Sequence, residues 1–70
     1  MKLNYYEETD SPYIDLSPAL SSDSKEISDG LVIDFDDQER VVGIDIQHAS
    51  ERIDLTSIES EHLPPLKNIA

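Results

Sequence analysis

Apolar and polar residues alternate through most of the first two thirds of the chain, and the period changes near residue 53. Leu3 and Tyr5 fall on one side and Asn4 and Tyr6 on the other, which predicts a short strand over residues 3–6. The polar stretch Glu7-Glu8-Thr9-Asp10-Ser11-Pro12 reads as a turn. Pro12 lacks an N–H, so it suits the first residue of the next strand or an edge position. Tyr13-Ile14-Asp15-Leu16 alternates again, with Ile14 and Leu16 sharing a face, and Pro18 stops the element. Ser21-Ser22-Asp23-Ser24 reads as a mobile polar loop.

A β-rich run over residues 27–35 and a second, Val41-Val42-Gly43-Ile44-Asp45-Ile46, flank an Asp-rich polar segment. That arrangement predicts an antiparallel hairpin over residues 27–47 with its turn between Asp34 and Arg40. By period two, Leu31, Ile33 and Phe35 share a face, as do Val42, Ile44 and Ile46, and both sets are assigned to the core. Val32 and Val41 then lie on the opposite face. Gly30 and Gly43 mark places where a strand bulges or another backbone comes close. Beyond the hairpin, Ile53, Leu55, Ile58 and then His62 or Leu63 follow helical spacing. Asp54 is a candidate N-cap, and Thr56-Ser57-Ile58-Glu59 also fits a capping box. Pro64-Pro65 must end that helix. The predicted core is Ile33, Phe35, Ile44 and Ile46, with Leu55 and Ile58 from the helix over them.

Length and charge narrow the picture. The 70 residues allow one domain, placed at 1–63 with a tail at 64–70. A domain this small is only marginally stable on its own core. With no cysteine, disulfides, thiolate zinc sites and cysteine nucleophiles are excluded. Sixteen acidic residues against five basic give a formal net charge of −11. Such a surface repels nucleic-acid phosphates and anionic membranes, and favours encounter with a basic protein. The polar residues after Leu3 predict no signal peptide, and no run approaches a membrane span, so a cytoplasmic location is expected.

The order of these pieces resembles a known family. Lys2-Leu3-Asn4-Tyr5-Tyr6 is followed by Asp10 and Tyr13-Ile14-Asp15-Leu16. Then come Ile27-Ser28-Asp29-Gly30-Leu31-Val32-Ile33-Asp34-Phe35-Asp36, Arg40-Val41-Val42-Gly43-Ile44-Asp45-Ile46 and Ala49-Ser50. In this order the chain resembles the YuzE-like family of small bacterial domains, known as domain of unknown function 2283. Ser11-Pro12 and His48 depart from the usual pattern. The resemblance implies an α+β fold: an antiparallel sheet of about four strands, built as a meander of hairpins, with one C-terminal helix packed on one face. It implies no activity. Some members look like the acidic partner of small toxin–antitoxin pairs.

Candidate chemistry is sparse. Asp34, Asp36, Asp37 and Glu39 cluster in sequence, but they lack the spacing of a calcium loop and read as a solvated turn. His48 and His62 show no ligand spacing. The serines of the polar loop are poorly placed for a preorganised nucleophile, and no Gly-rich phosphate loop is present. No catalytic, cofactor-binding or metal-binding residue is assigned, no cofactor is expected, and neither is a small-molecule substrate. The remaining feature is the second sheet face, carrying Tyr6, Tyr13, Val32 and Val41, which is assigned as an interface because Tyr is enriched in binding hot spots. The expected function is a non-catalytic protein-interaction module, either a homodimer or a subunit of a small complex. The alternatives are an antitoxin-like acidic neutraliser of a basic partner and, from another class, a small metal-dependent hydrolase.

Overall fold

The computed structural model describes residues 1–64. Five strands form one antiparallel sheet: β1 (Lys2–Tyr6), β2 (Ser11–Asp15), β3 (Asp23–Ser28), β4 (Leu31–Phe35) and β5 (Val41–Ile46). Their order is β1-β2-β5-β4-β3. The last three strands run as a meander, the β1–β2 hairpin adds to its β5 side, and β1 and β3 are the edges. Residues 16–22 carry the chain from β2 to the far edge. They are pinned where Leu16 N–H donates to the Val42 carbonyl (2.9 Å) and Ser22 N–H to the Phe35 carbonyl (2.8 Å).

The β4–β5 hairpin forms where the two β-rich runs place it. Asp36 builds its turn: one carboxylate oxygen accepts from the N–H groups of Gln38 (2.8 Å) and Arg40 (2.9 Å), and the other from Arg40 Nε (2.9 Å). Glu39 takes the left-handed conformation that closes the loop (φ 63°). A bulge next to the turn sets Phe35 opposite Val41 while Asp34 faces Gly43, so Val42 is the extra residue.

Two expectations are overturned. The sheet has five strands, not four, because residues 23–28 pair with β4 as a strand of their own, taking in Asp23 and Ser24 of the expected polar loop and the start of the run at Ile27. Asp29-Gly30 is the turn between them, with Gly30 at φ 79°. Asp-Gly is a strong hairpin signal, and it divides the run beginning at Ile27 into two strands. The C-terminal helix is also absent. Among the described residues the only helical pieces are single 3₁₀ turns at Glu7–Thr9 and Ala49–Glu51. The bond expected of a cap does form, since Asp54 accepts from the N–H (2.8 Å) and hydroxyl (2.5 Å) of Thr56, but no helix follows it. Ile53, Thr56, Ser57 and Ile58 are weak helix formers, and a side chain bonding the nearby backbone competes with helix. So short a segment also falls below the length at which a helix holds without tertiary support. The fold is therefore an all-antiparallel sheet without an α-helix among the described residues. Residues 65–70 of the expected tail lie outside them.

A second fixed point ties the chain end to the sheet. Asp10, itself left-handed (φ 51°), accepts from Tyr5 Oη (2.6 Å) and from both the N–H (2.9 Å) and hydroxyl (2.6 Å) of Ser50. Its carbonyl accepts from Ala49 N–H (2.8 Å), and Ala49 is fully buried. Arg52 then lies over Gly30, where an added Cβ would meet its guanidinium at 3.2 Å.

The described residues thus form a single sheet layer without an α-helix over it. Ile33, Phe35, Ile44 and Ile46 are half-buried, and among the described residues no large side chain is fully enclosed. Leu55 and Ile58 do not cover them: Ile58 is 78% exposed. No helix of the described residues is long and apolar enough to cross a membrane.

Candidate interaction surfaces

Successive residues of a strand point to opposite faces, so the register defines two surfaces. On one, a row crosses all five strands as Leu3, Ile14, Ile44, Ile33 and Lys25. Tyr5 and Pro12 pair beside it, as do Leu31 and Ile46. The next row, one residue along each strand, lies on the other face and reads Asn4, Tyr13, Asp45, Val32 and Glu26. It is followed by Asp15, Gly43, Asp34 and Ser24.

The first face is apolar and open. Leu3 and Tyr5 are about half exposed (49% and 50%). Ile53, Asp54, Leu55 and Ile58 flank this face instead of covering it. Between the two runs a groove of about 540 Å³, lined by Leu3, Tyr5, Ile14, Ile46, Ile53 and Leu55 among others. Lys25, at the β3 edge, lies 5.5 Å from the centre of the Phe35 ring and is the one cation of the Leu3 row.

The second face is polar and internally bonded. The Tyr13 phenol reaches across β5 and donates to Asp34 Oδ2 on β4 (2.7 Å). Asp34 Oδ1 accepts from the Ser24 hydroxyl on β3 (2.5 Å). Gly43 makes the crossing possible: a Cβ there would stand 1.8 Å from Tyr13 Oη. Its place in the fold is thus a close approach by a side chain. The hydrogen bond to Asp34, then burial and the charges of Asp34, Asp15 and Asp45, push the Tyr13 phenol up to about 12. Tyr13 is therefore a neutral donor held among carboxylates.

The predicted interface residues divide accordingly. Tyr13 and Val32 share one row, and Tyr6, paired with Ser11, lies on the same face. The bulge takes Val41 out of alternation and sets it opposite Phe35, so it does not join them. Tyr13 is engaged by Asp34, and carboxylates stand within the patch, since Asp45 separates Tyr13 from Val32. Leu3, Tyr5, Pro12 and Ile14 lie outside the predicted set: the alternation of Leu3 and Tyr5 is visible in the sequence, but Pro12 reads as part of a turn, and the core expected under a helix is Ile33, Phe35, Ile44 and Ile46.

The acidic turn is occupied by its own bonds. Asp36 serves the turn, and those backbone bonds hold its carboxyl below the usual carboxylate range, while Asp34 turns to Tyr13 and Ser24. The described residues hold no group of three His, Cys, Asp or Glu side chains arranged to bind a metal ion. His48 precedes the second 3₁₀ turn in a left-handed conformation (φ 53°), and His62 lies in the exposed C-terminal segment.

Residues 2–50 match the family described as "Protein of unknown function (DUF2283)", and the chain belongs to it. No curated protein and no solved structure matches the chain. The matched span runs from β1 through all five strands to Ser50, so the Asp10–Ser50 bond falls within it.

Proposed function

We propose that this member of the DUF2283 family is a non-catalytic protein-interaction module whose working surface is the apolar sheet face. The observation that carries the reading is the row Leu3, Ile14, Ile44 and Ile33, over which the described residues lay no second layer. Contiguous apolar surface of this kind marks association sites. A binding role is also favoured over chemistry by the carboxylates, since Asp10, Asp34 and Asp36 are each taken up by turn or cross-strand bonds. The opposite face supports a second element of the same reading. Asp15, Asp34, Asp45 and Glu26 lie on it, which suits encounter with a basic partner, as an acidic neutraliser requires.

Affinity capture from the native cell, run in parallel with wild-type and Leu3→Glu baits, tests the proposal. A stoichiometric species, whether untagged copies of the chain or another protein, should be retained by wild type and lost with the variant. If wild type retains nothing, the reading fails.

A further inference from the structure

We infer that the occupant of the apolar face is a second copy of the chain, seated face to face to make a two-layer β-sandwich. This rests on the interaction-module reading and names its partner. The first argument is architectural. A sheet with one apolar face needs a second layer to complete a core, and among the described residues only Val42 and Ala49 are buried hydrophobics, while Ile33, Phe35, Ile44 and Ile46 stay half-buried. Two such sheets pack about 10 Å apart with their inner side chains interdigitated.

The second argument is area. A stable interface removes roughly 800 Å² from each partner. The face has apolar surface to give up: Leu3, Tyr5, Ile53 and Ile58 are 49%, 50%, 42% and 78% exposed, beside the half-buried Ile14, Ile33, Ile44 and Ile46.

The third argument is charge. A chain of net charge −11 repels its own copy through most of its surface. The Leu3 row carries no carboxylate, and Asp15, Asp34, Asp45 and Glu26 belong to the other face; on the apolar side carboxylates of the described residues stand only at the margin, with Asp23 opposite Phe35 at the β3 edge and Asp54 on the groove wall. Apposing the apolar faces turns the four carboxylates of the other face outward and leaves Asp23 and Lys25, two residues apart on the same edge strand, at the periphery of the contact. The segment after Arg52 forms the rim, where Ile58, 78% exposed, gains cover from the partner sheet. The symmetry is the closed two-fold that dominates among oligomers.

The test uses the full chain. Sedimentation equilibrium should give twice the 7.9 kDa chain mass, and a single chain mass for Leu3→Glu with its circular dichroism retained. In a sample mixing isotope-labelled and unlabelled protein, intermolecular NOEs should fall on the methyl groups of Ile14, Ile44 and Ile46. This measurement needs no variant, so it stands even if Leu3→Glu fails to fold. A wild-type monomer overturns the inference, as do intermolecular NOEs confined to Val32 or to the β1 edge. In that event, capture of a different protein by wild type and not by Leu3→Glu would still uphold the interaction-module reading.

Discussion

Two rows of residues, one position apart along the same strands, show how differently one sheet can be used. Leu3, Ile14, Ile44 and Ile33 line up across four strands with nothing polar between them. Asn4, Tyr13, Asp45 and Val32, their immediate neighbours, face the other way and include an acid and a bonded phenol. The polar face bonds within itself: Tyr13 reaches from its row across Gly43 to Asp34 in the next, and Asp34 takes Ser24. The apolar row has no such internal partner, and burial is its only source of stabilisation. A bonded cross-strand polar network fixes register within a sheet, while an open apolar row asks for another surface.

The sharpest way to break this contrast is at Ile44 and Asp45, adjacent residues of the central strand. Ile44→Asp sets a charged carboxylate in the middle of the apolar row without a partner, a heavier penalty than an unpaired neutral polar group carries and enough to unfold a domain this small. Asp45→Asn should stay within about 0.5 kcal/mol. Urea unfolding followed by circular dichroism compares them directly, and equal effects would contradict the assignment of faces.

A smaller effect is expected at Gly43. Gly43→Ala forces the Tyr13 phenol aside and should cost about 1–3 kcal/mol, as overpacking does. The cost should largely vanish in a Tyr13→Ala background, because the clash is with that side chain. A double-mutant cycle measures the coupling. If Gly43→Ala costs the same in both backgrounds, Gly43 is needed for its backbone alone.

Tyr13→Phe deletes one hydrogen bond and should cost about 1 kcal/mol. It also changes the alkaline limb. The folded phenol is raised from 10.0 to about 12, so the folded state holds that proton more tightly than the unfolded chain. Its contribution is complete below pH 10 and is lost as pH rises towards 12. The wild-type urea midpoint should fall across that window, and fall less in Tyr13→Phe.

The smallest effect lies on the acid side. The bonds from Ser50, then Tyr5, hold the Asp10 carboxyl below its ordinary value. Its contribution is present above about pH 3.8 and disappears as pH falls below it. Ser50→Ala should flatten the acid limb of the urea midpoint; an unchanged limb would mean that the Asp10–Ser50 bond adds nothing to stability.

The strands that pack on both neighbours were legible in the sequence because their side-chain alternation is strong. Leu31, Ile33 and Phe35 against Val42, Ile44 and Ile46 located the central hairpin, and Asp36 located its turn. β3 was not legible: Asp23-Ser24-Lys25-Glu26 has no apolar face and is a strand because β4 offers it hydrogen bonds. The Asp29-Gly30 turn was the available signal, and it was read as a bulge site. The helix was misread because the spacing of Ile53, Leu55 and Ile58 matches a helix while the residues between them disfavour one. The helix also bears on the candidate surface: with a helix over Ile33, Phe35, Ile44 and Ile46 the open face is the one with Tyr6, Tyr13 and Val32, whereas without it the apolar face is open too and Val41 is shifted out of that set by the bulge.

The central claim is that the apolar face finds its second layer in another copy of the chain, so that folding and association are linked. The direct measurement is the urea midpoint of the wild-type protein over a hundredfold range of concentration. Linkage predicts a midpoint that climbs with concentration, by the equivalent of about 1.4 kcal/mol in stability for each tenfold increase. A midpoint independent of concentration, in a protein that unfolds cooperatively, would contradict the account.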